Sequence, residues 1–187
     1  MGETGKKGNK RIYTLGHSTL PLEVFIALLR RHGIQTVVDV RSQPRSRRHP
    51  QFNLENLAER LPAVGMTYHH LKELGGKNRT GLSQSPNTGL PREWRPYADY
   101  LLGAEADRGL TRLLALADLG KVALVCAEAD WRQCHRQFLS DCLLVRGFQV
   151  WHLHAELEPQ EHRLRPGAEI RQNRVTYPAA GEQLPLF

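Results

Sequence analysis

Cysteine is scarce: three occur in 187 residues, and Cys126, Cys134 and Cys142 all fall in one short stretch. An odd, clustered set does not suit a disulfide framework and fits free thiols in a reducing compartment, so a cytoplasmic protein is expected. Long apolar runs are lacking too. None approaches the length of a membrane span, and the opening MGETGKKGNKR carries charge without an apolar core, so no export signal, anchor or membrane partner is expected. Lys6 stands where a myristoylation signal beginning at Gly2 needs Ser or Thr. Acidic residues are the scarcer charge, 19 Asp and Glu against 26 Lys and Arg, leaving a net charge of +7. Such a surface field favours polyanions, nucleic acid first among them. There is no internal repeat, and 40% hydrophobic with 24% charged residues excludes a disordered or fibrous chain. At this length one core with appendages is expected.

RIYTLG reads as a strand ending at Gly16, and Pro21 and Gly33 bracket an apolar periodic run as helix start and stop signals. TVVDV is a continuous apolar run with one Asp, as in a strand covered on both faces. Asn53 is placed to cap a helix that stops at Gly65, and MTYHHL follows as a third strand. WRPYADYLL and GLTRLLALADLG read as helices, KVALVC as a strand, CHRQFLSDCLLVRG as a helix and FQVWHL as a last strand. Strands alternating with helices predict an α/β fold. The sheet should be open and mostly parallel, with about five strands, helices on both faces, and a C-terminal extension and tail. The expected organisation is a basic N-terminal tail over residues 1–10, one α/β domain over 11–154, and an extension with a flexible tail over 155–187.

In this layout each unusual polar segment follows a strand: Gly16-His17-Ser18, Asp39-Val40-Arg41-Ser42, Leu74-Gly75-Gly76 and Cys126-Ala127-Glu128. Open α/β sheets bind ligands outside the carboxyl ends of their strands, so one crevice holding His17, Arg41, Glu128 and Cys134 is expected. GHST, the DVRSxPxSRRxPxF pattern from Asp39 to Phe52, LGG, and CAE followed by CHR together resemble the bacterial family called domain of unknown function 488. The resemblance covers roughly residues 11–153 and implies an α/β fold; it carries no catalytic role.

The candidate active groups are His17, Asp39, Glu128 and Cys134. His17 at a strand end suits anion binding or acid–base work, or equally a buried histidine bonded to backbone. Asp39 inside an apolar strand needs a partner. Arg41 is the nearest cation, but the opposite facing of adjacent strand residues counts against that pair. Cys134, flanked by Arg132, His135 and Arg136 near a helix start, has surroundings that stabilise thiolate, or is a small core residue. Arg41, Arg45, Arg47 and Arg48 with Ser18 and Ser42 offer forks and hydroxyls to phosphate oxygens, or form a solvated basic turn, and Lys77, Arg79, His135 and Arg136 extend the charge. Cys126 to Arg132 has the Cys-x5-Arg spacing of rhodanese and phosphatase loops. Its loop, however, contains Glu128 and Asp130 and no glycine, which disfavours an anion cradle. No metal-ligand set is assigned by spacing. Structural zinc lacks a second ligand pair, a catalytic metal held from separate strand ends stays open, and the cofactor is left unknown.

The closing Gln183-Leu184-Pro185-Leu186-Phe187 resembles the peptide by which bacterial replication and repair proteins dock on the sliding clamp. Gln183, Leu184, Leu186 and Phe187 would make the contacts, unless the segment packs its Leu and Phe on its own domain. Three functions are expected from these features. The first is a DNA- or nucleotide-directed enzyme of DNA repair or processing, recruited by the clamp and acting on a phosphate-containing substrate as a hydrolase or through a thiol. The second is a small-molecule thiol enzyme of sulfur transfer or phosphate ester hydrolysis. The third is a non-enzymatic DNA-associated binding module.

Overall fold

The structure, a computed structural model, describes residues 10–181. Gln183, Leu184, Leu186 and Phe187, and all but the last residue of the expected N-terminal tail, lie outside the described residues. Five parallel strands, β1 (Arg11–Gly16), β2 (Thr36–Asp39), β3 (Thr67–His70), β4 (Val122–Cys126) and β5 (Gln149–Leu153), stand in the order β3-β2-β4-β1-β5. β6 (Gln160–Glu161) adds antiparallel to β5, making six strands where about five were expected, and it shortens an otherwise open edge. β7 (Glu169–Arg171) and β8 (Arg174–Thr176) form a separate hairpin.

The helices are α1 (Leu22–Arg31), α2 (Leu54–Ala63), α3 (Arg95–Tyr100), α4 (Ala104–Leu119) and α5 (Arg136–Val145). Strand alternation divides the core. Tyr13, Leu15, Val37 and Val125 face one side with Phe25, Leu29, Leu57 and Leu61 of α1 and α2. Ile12, Val38, Val122 and Leu124 face the other with Tyr97, Leu110, Leu113, Phe138 and Leu143 of α3, α4 and α5. Each fully buried aliphatic or aromatic side chain contributes roughly 1.5–3 kcal/mol. The extension joins this core, because Val175 and Tyr177 pack within the second cluster.

Two helix starts differ from expectation. Asn53 occupies the N-cap of α2 but does not cap it; its Oδ1 accepts from the Ser46 amide at 2.6 Å and so pins the arginine-rich loop. α4 begins at Ala104, five residues before Gly109, because the run Ala104 to Arg108 supplies a first turn with Glu105 and Asp107 at its positive end.

The topology opens a crevice at one edge of the sheet. The chain leaves β1 and β2 for helices packed on one face and leaves β3 and β4 for helices on the other. β4 lies between β1 and β2, so the connections beside it part in opposite directions and open a crevice at the carboxyl edge.

Candidate functional site

A crevice of about 360 Å³ lies at that edge. Its lining includes His17, Ser18 and Thr19 after β1, Arg41 to Gln43, Arg45, Ser46 and His49 after β2, Gly76 and Lys77 after β3, Cys126 and Ala127 after β4, and His135 before α5. Four strand ends therefore meet in one place, and two glycines let them do so. A Cβ on Gly16 would lie 1.8 Å from the Glu128 carbonyl oxygen, and one on Gly76 would lie 2.7 Å from the His135 ring.

One wall is a buried polar cluster. Asp39 accepts from Arg41 Nε at 2.9 Å, from Arg41 Nη2 at 2.5 Å, from the Arg41 amide at 3.0 Å and from Tyr68 Oη at 2.8 Å. Strand alternation therefore does not keep Asp39 and Arg41 apart, because residues two apart share a face. Arg41 also donates to the Phe52 carbonyl at 2.6 Å and to His17 Nε2 at 3.0 Å, so most of its fork is consumed inside the protein. His17 donates from Nδ1 to the Ser18 carbonyl at 3.0 Å and stacks on Phe52 with centroids 4.1 Å apart. Burial, then the adjacent Arg41 charge, lowers its pKa to about 4. His17 is thus a neutral ring with both nitrogens engaged, and it shapes the wall more than it offers a proton. Burial and the Asp39 carboxylate push the Tyr68 hydroxyl far up.

The cations sort by exposure. Arg45, Arg47, Arg48 and Lys77 are exposed, with Arg45 and Lys77 in the lining and Arg47 and Arg48 on the same loop beyond it. Ser42 Oγ accepts the Lys77 amide at 3.0 Å, joining two rim loops. Arg79 turns away from the crevice. It donates to the carbonyls of Gly75 at 2.8 Å and Lys72 at 3.0 Å and lies over the Tyr100 ring.

The thiol segment is where expectation and geometry differ most. Cys126, which sequence reasoning passed over as a ligand contact, lines the crevice, while Cys134 is buried outside the lining. Glu128 is exposed but does not line it; its backbone carbonyl accepts from Arg136 instead. Arg136 is 1% exposed, donating also to the Ala129 carbonyl, to Thr14 Oγ1 at 3.2 Å and from Nε to Cys134 Sγ at 3.4 Å, so it holds the loop and is not presented to a ligand. His135 donates from Nε2 to the Val40 carbonyl at 3.0 Å, which leaves the Nδ1 lone pair facing Cys134 Sγ at 3.6 Å and Cys126 Sγ at 3.9 Å. A thiol hydrogen bond from Cys126 holds Cys134 well below the usual thiol range, aided by His135 and Arg136 against the opposing effect of burial. The same bond, with burial, raises Cys126. Cys142 packs in the core, where burial raises it to about 12.

Behind the thiols runs a buried chain that sequence reasoning missed. Arg136 Nη1 donates to Thr14, Thr14 Oγ1 to His152 Nδ1 at 2.7 Å, His152 Nε2 to His162 Nδ1 at 2.9 Å, and His162 Nε2 to Asp141 at 2.9 Å. The direction follows from its ends, since Arg136 can only donate and the Asp141 carboxylate only accept. Asp141 also accepts from Tyr177 Oη at 2.7 Å. Burial, then neighbouring His162 and Arg136, lowers His152 to about 2. Thr14 and His152 become same-face neighbours only through the β1–β5 pairing, which the fold supplies, and His162, from the extension, had no local signal.

The structure thus gathers His17, Ser18, Arg41, Ser42, Arg45, Lys77 and His135 around one crevice with Cys126. Asp39, Cys134 and Arg136 lie behind its walls, and Arg47, Arg48, Arg79 and Glu128 lie outside the lining. Among the described residues no helix is long and apolar enough to cross a membrane. No curated protein and no solved structure matches the chain. A family model, described as domain of unknown function DUF488, matches residues 21–143, which include the arginine loop, Cys126, Cys134 and His135. That match spans most of the chain, which therefore belongs to the DUF488 family.

Proposed function

We propose that the protein is an enzyme acting on a nucleotide or on DNA, with a substrate phosphate held at the rim of the strand-edge crevice and the reacting bond placed against the Cys126 and His135 wall. One observation carries this reading: exposed cations, hydroxyls and a thiol–imidazole pair share a single cavity. Arg45 and Lys77 supply charge, Ser18, Ser42 and Ser46 supply hydroxyls, and Cys126 and His135 supply a thiol and an imidazole. The volume of about 360 Å³ suits a ligand of mononucleotide size. Arg47 and Arg48, exposed on the adjoining loop, are placed to meet further phosphates of a polymer.

Fluorescence anisotropy with a short labelled DNA duplex tests the charge argument. Four phosphate contacts, through Arg45, Arg47, Arg48 and Lys77, would make affinity fall on the order of 100-fold between about 50 and 200 mM salt. Arg47→Ala with Arg48→Ala should flatten the salt slope by about 2. Affinity indifferent to salt would remove the electrostatic basis. Binding of a mononucleotide but not of the duplex would favour the small-molecule thiol enzyme, a reading that the small cavity with Cys126 in its wall also supports. Recruitment to the sliding clamp by Gln183, Leu184, Leu186 and Phe187 belongs to the same proposal and rests on the sequence of that peptide. Surface plasmon resonance on an immobilised clamp tests it, with Leu186→Ala and Phe187→Ala as the variant that should lose binding.

A further inference from the structure

We infer that Cys126, Cys134 and His135 form a binding site for one divalent metal ion of the zinc class, with its fourth position open to the crevice. The sulfur atoms and His135 Nδ1 all lie within 4.8 Å of one another. The two sulfur–nitrogen distances are 3.6 and 3.9 Å. Zinc bonds of about 2.3 Å to sulfur and about 2.0–2.1 Å to nitrogen at a tetrahedral centre put sulfur and nitrogen about 3.6 Å apart, so both sulfur–nitrogen pairs already stand within a few tenths of an ångström of the spacing that an ion needs.

The surroundings fit such a site in three independent ways. The Nε2–H of His135 is tied to the Val40 carbonyl at 3.0 Å. That bond fixes the tautomer whose Nδ1 lone pair points at the sulfurs, the outer hydrogen bond that a ligating histidine ordinarily makes. The ring is held between the Gly76 backbone, where a Cβ would come within 2.7 Å, and the edge of Tyr97 at a centroid distance of 5.1 Å. Arg136 Nε donates to Cys134 Sγ, a contact that a metal-bound thiolate retains.

Donor chemistry selects the metal. Two thiols and an imidazole, with no carboxylate in the set, suit zinc and cobalt and offer nothing to magnesium or calcium. Binding converts the two thiols to thiolates and releases their protons to solvent, so affinity should rise with pH. Cys126 and His135 line the crevice while Cys134 does not, so the ion would be held from behind with one face toward the cavity. Three protein ligands and an open position are the pattern of catalytic zinc sites, not of closed structural ones. The inference goes beyond the phosphate reading and does not depend on it.

Cobalt(II) titration of the full-length, chelator-treated protein tests the site without any substrate. The expected result is one cobalt per chain with thiolate charge-transfer absorption and the visible bands of tetrahedral cobalt, displaced by zinc. Counted with a thiol reagent, Cys126, the thiol that lines the crevice, should become protected. His135→Ala and Cys126→Ser should lose this binding, and Cys142→Ala should keep it. Circular dichroism checks that each variant is folded, and the thiol-protection count on unaltered protein stands even where a variant is not. No cobalt or zinc bound at micromolar concentrations, cobalt bound without thiolate absorption, or binding retained in both His135→Ala and Cys126→Ser would overturn the inference.

Discussion

Asp39→Ala should cost about 3–5 kcal/mol of folding stability, the loss expected when one partner of a buried ion pair is removed. Asp39 is fully buried and accepts from Arg41 through both carboxylate oxygens and from Tyr68. Its removal leaves the Arg41 guanidinium, 7% exposed, without its counter-charge. For a domain of this size the loss corresponds to roughly 6–20 °C in melting temperature. Asp39→Ala combined with Arg41→Met should cost less than Asp39→Ala alone, because no uncompensated charge remains. Differential scanning calorimetry reads both variants. A single-variant loss under about 1 kcal/mol would mean that the pair is solvated and that the crevice wall is looser than described.

The second large effect is loss of stability in mild acid. His17 and His152 are held neutral, with pKa values lowered from 6.5 to about 4 and about 2. Burial is the first cause in both, followed by Arg41 for His17 and by His162 and Arg136 for His152. The unfolded chain binds a proton at these rings below pH 6.5 and the folded chain does not, so acid favours unfolding. Stability from these groups is complete above that value and falls as pH drops toward each folded pKa. By about pH 5 each ring should have cost about 2 kcal/mol, or about 4 kcal/mol together. Urea midpoints measured at pH 7 and pH 5 should therefore separate clearly, and His17→Asn should narrow the gap. Equal midpoints would contradict the burial assigned to both rings.

What could be read in the sequence was what depends on local pattern. KVALVC and TVVDV announce covered strands because both faces of each are apolar, and Gly33 at a φ of 65° marks the helix stop that its position suggested. The strand-edge crevice was legible in part, since segments after four strands supply its lining, although Glu128 and Cys134, expected in it, do not. Which way each long side chain turns was not legible. Arg41, Arg79 and Arg136 look the same as Arg45, Arg47 and Arg48 in sequence. The first three turn inward because Asp39, the Gly75 carbonyl and the Glu128 carbonyl await them, and only the fold supplies those partners. Cys126 was underrated for the same reason: strand order, which puts β4 between β1 and β2, aims its end into the crevice. The His152, His162 and Asp141 chain depends on the extension folding back over α5, a contact with no signal in local periodicity.

Whether the strand-edge crevice receives a ligand phosphate is read by NMR mapping of backbone amides during titration with a 5′-mononucleotide. Saturable shifts are expected at Ser18, Ser42, Ser46, Gly76 and Lys77, which come from three separate strand ends, and should be lost on Lys77→Ala with Arg45→Ala. No saturable shift, or shifts centred on residues away from this rim, would contradict it.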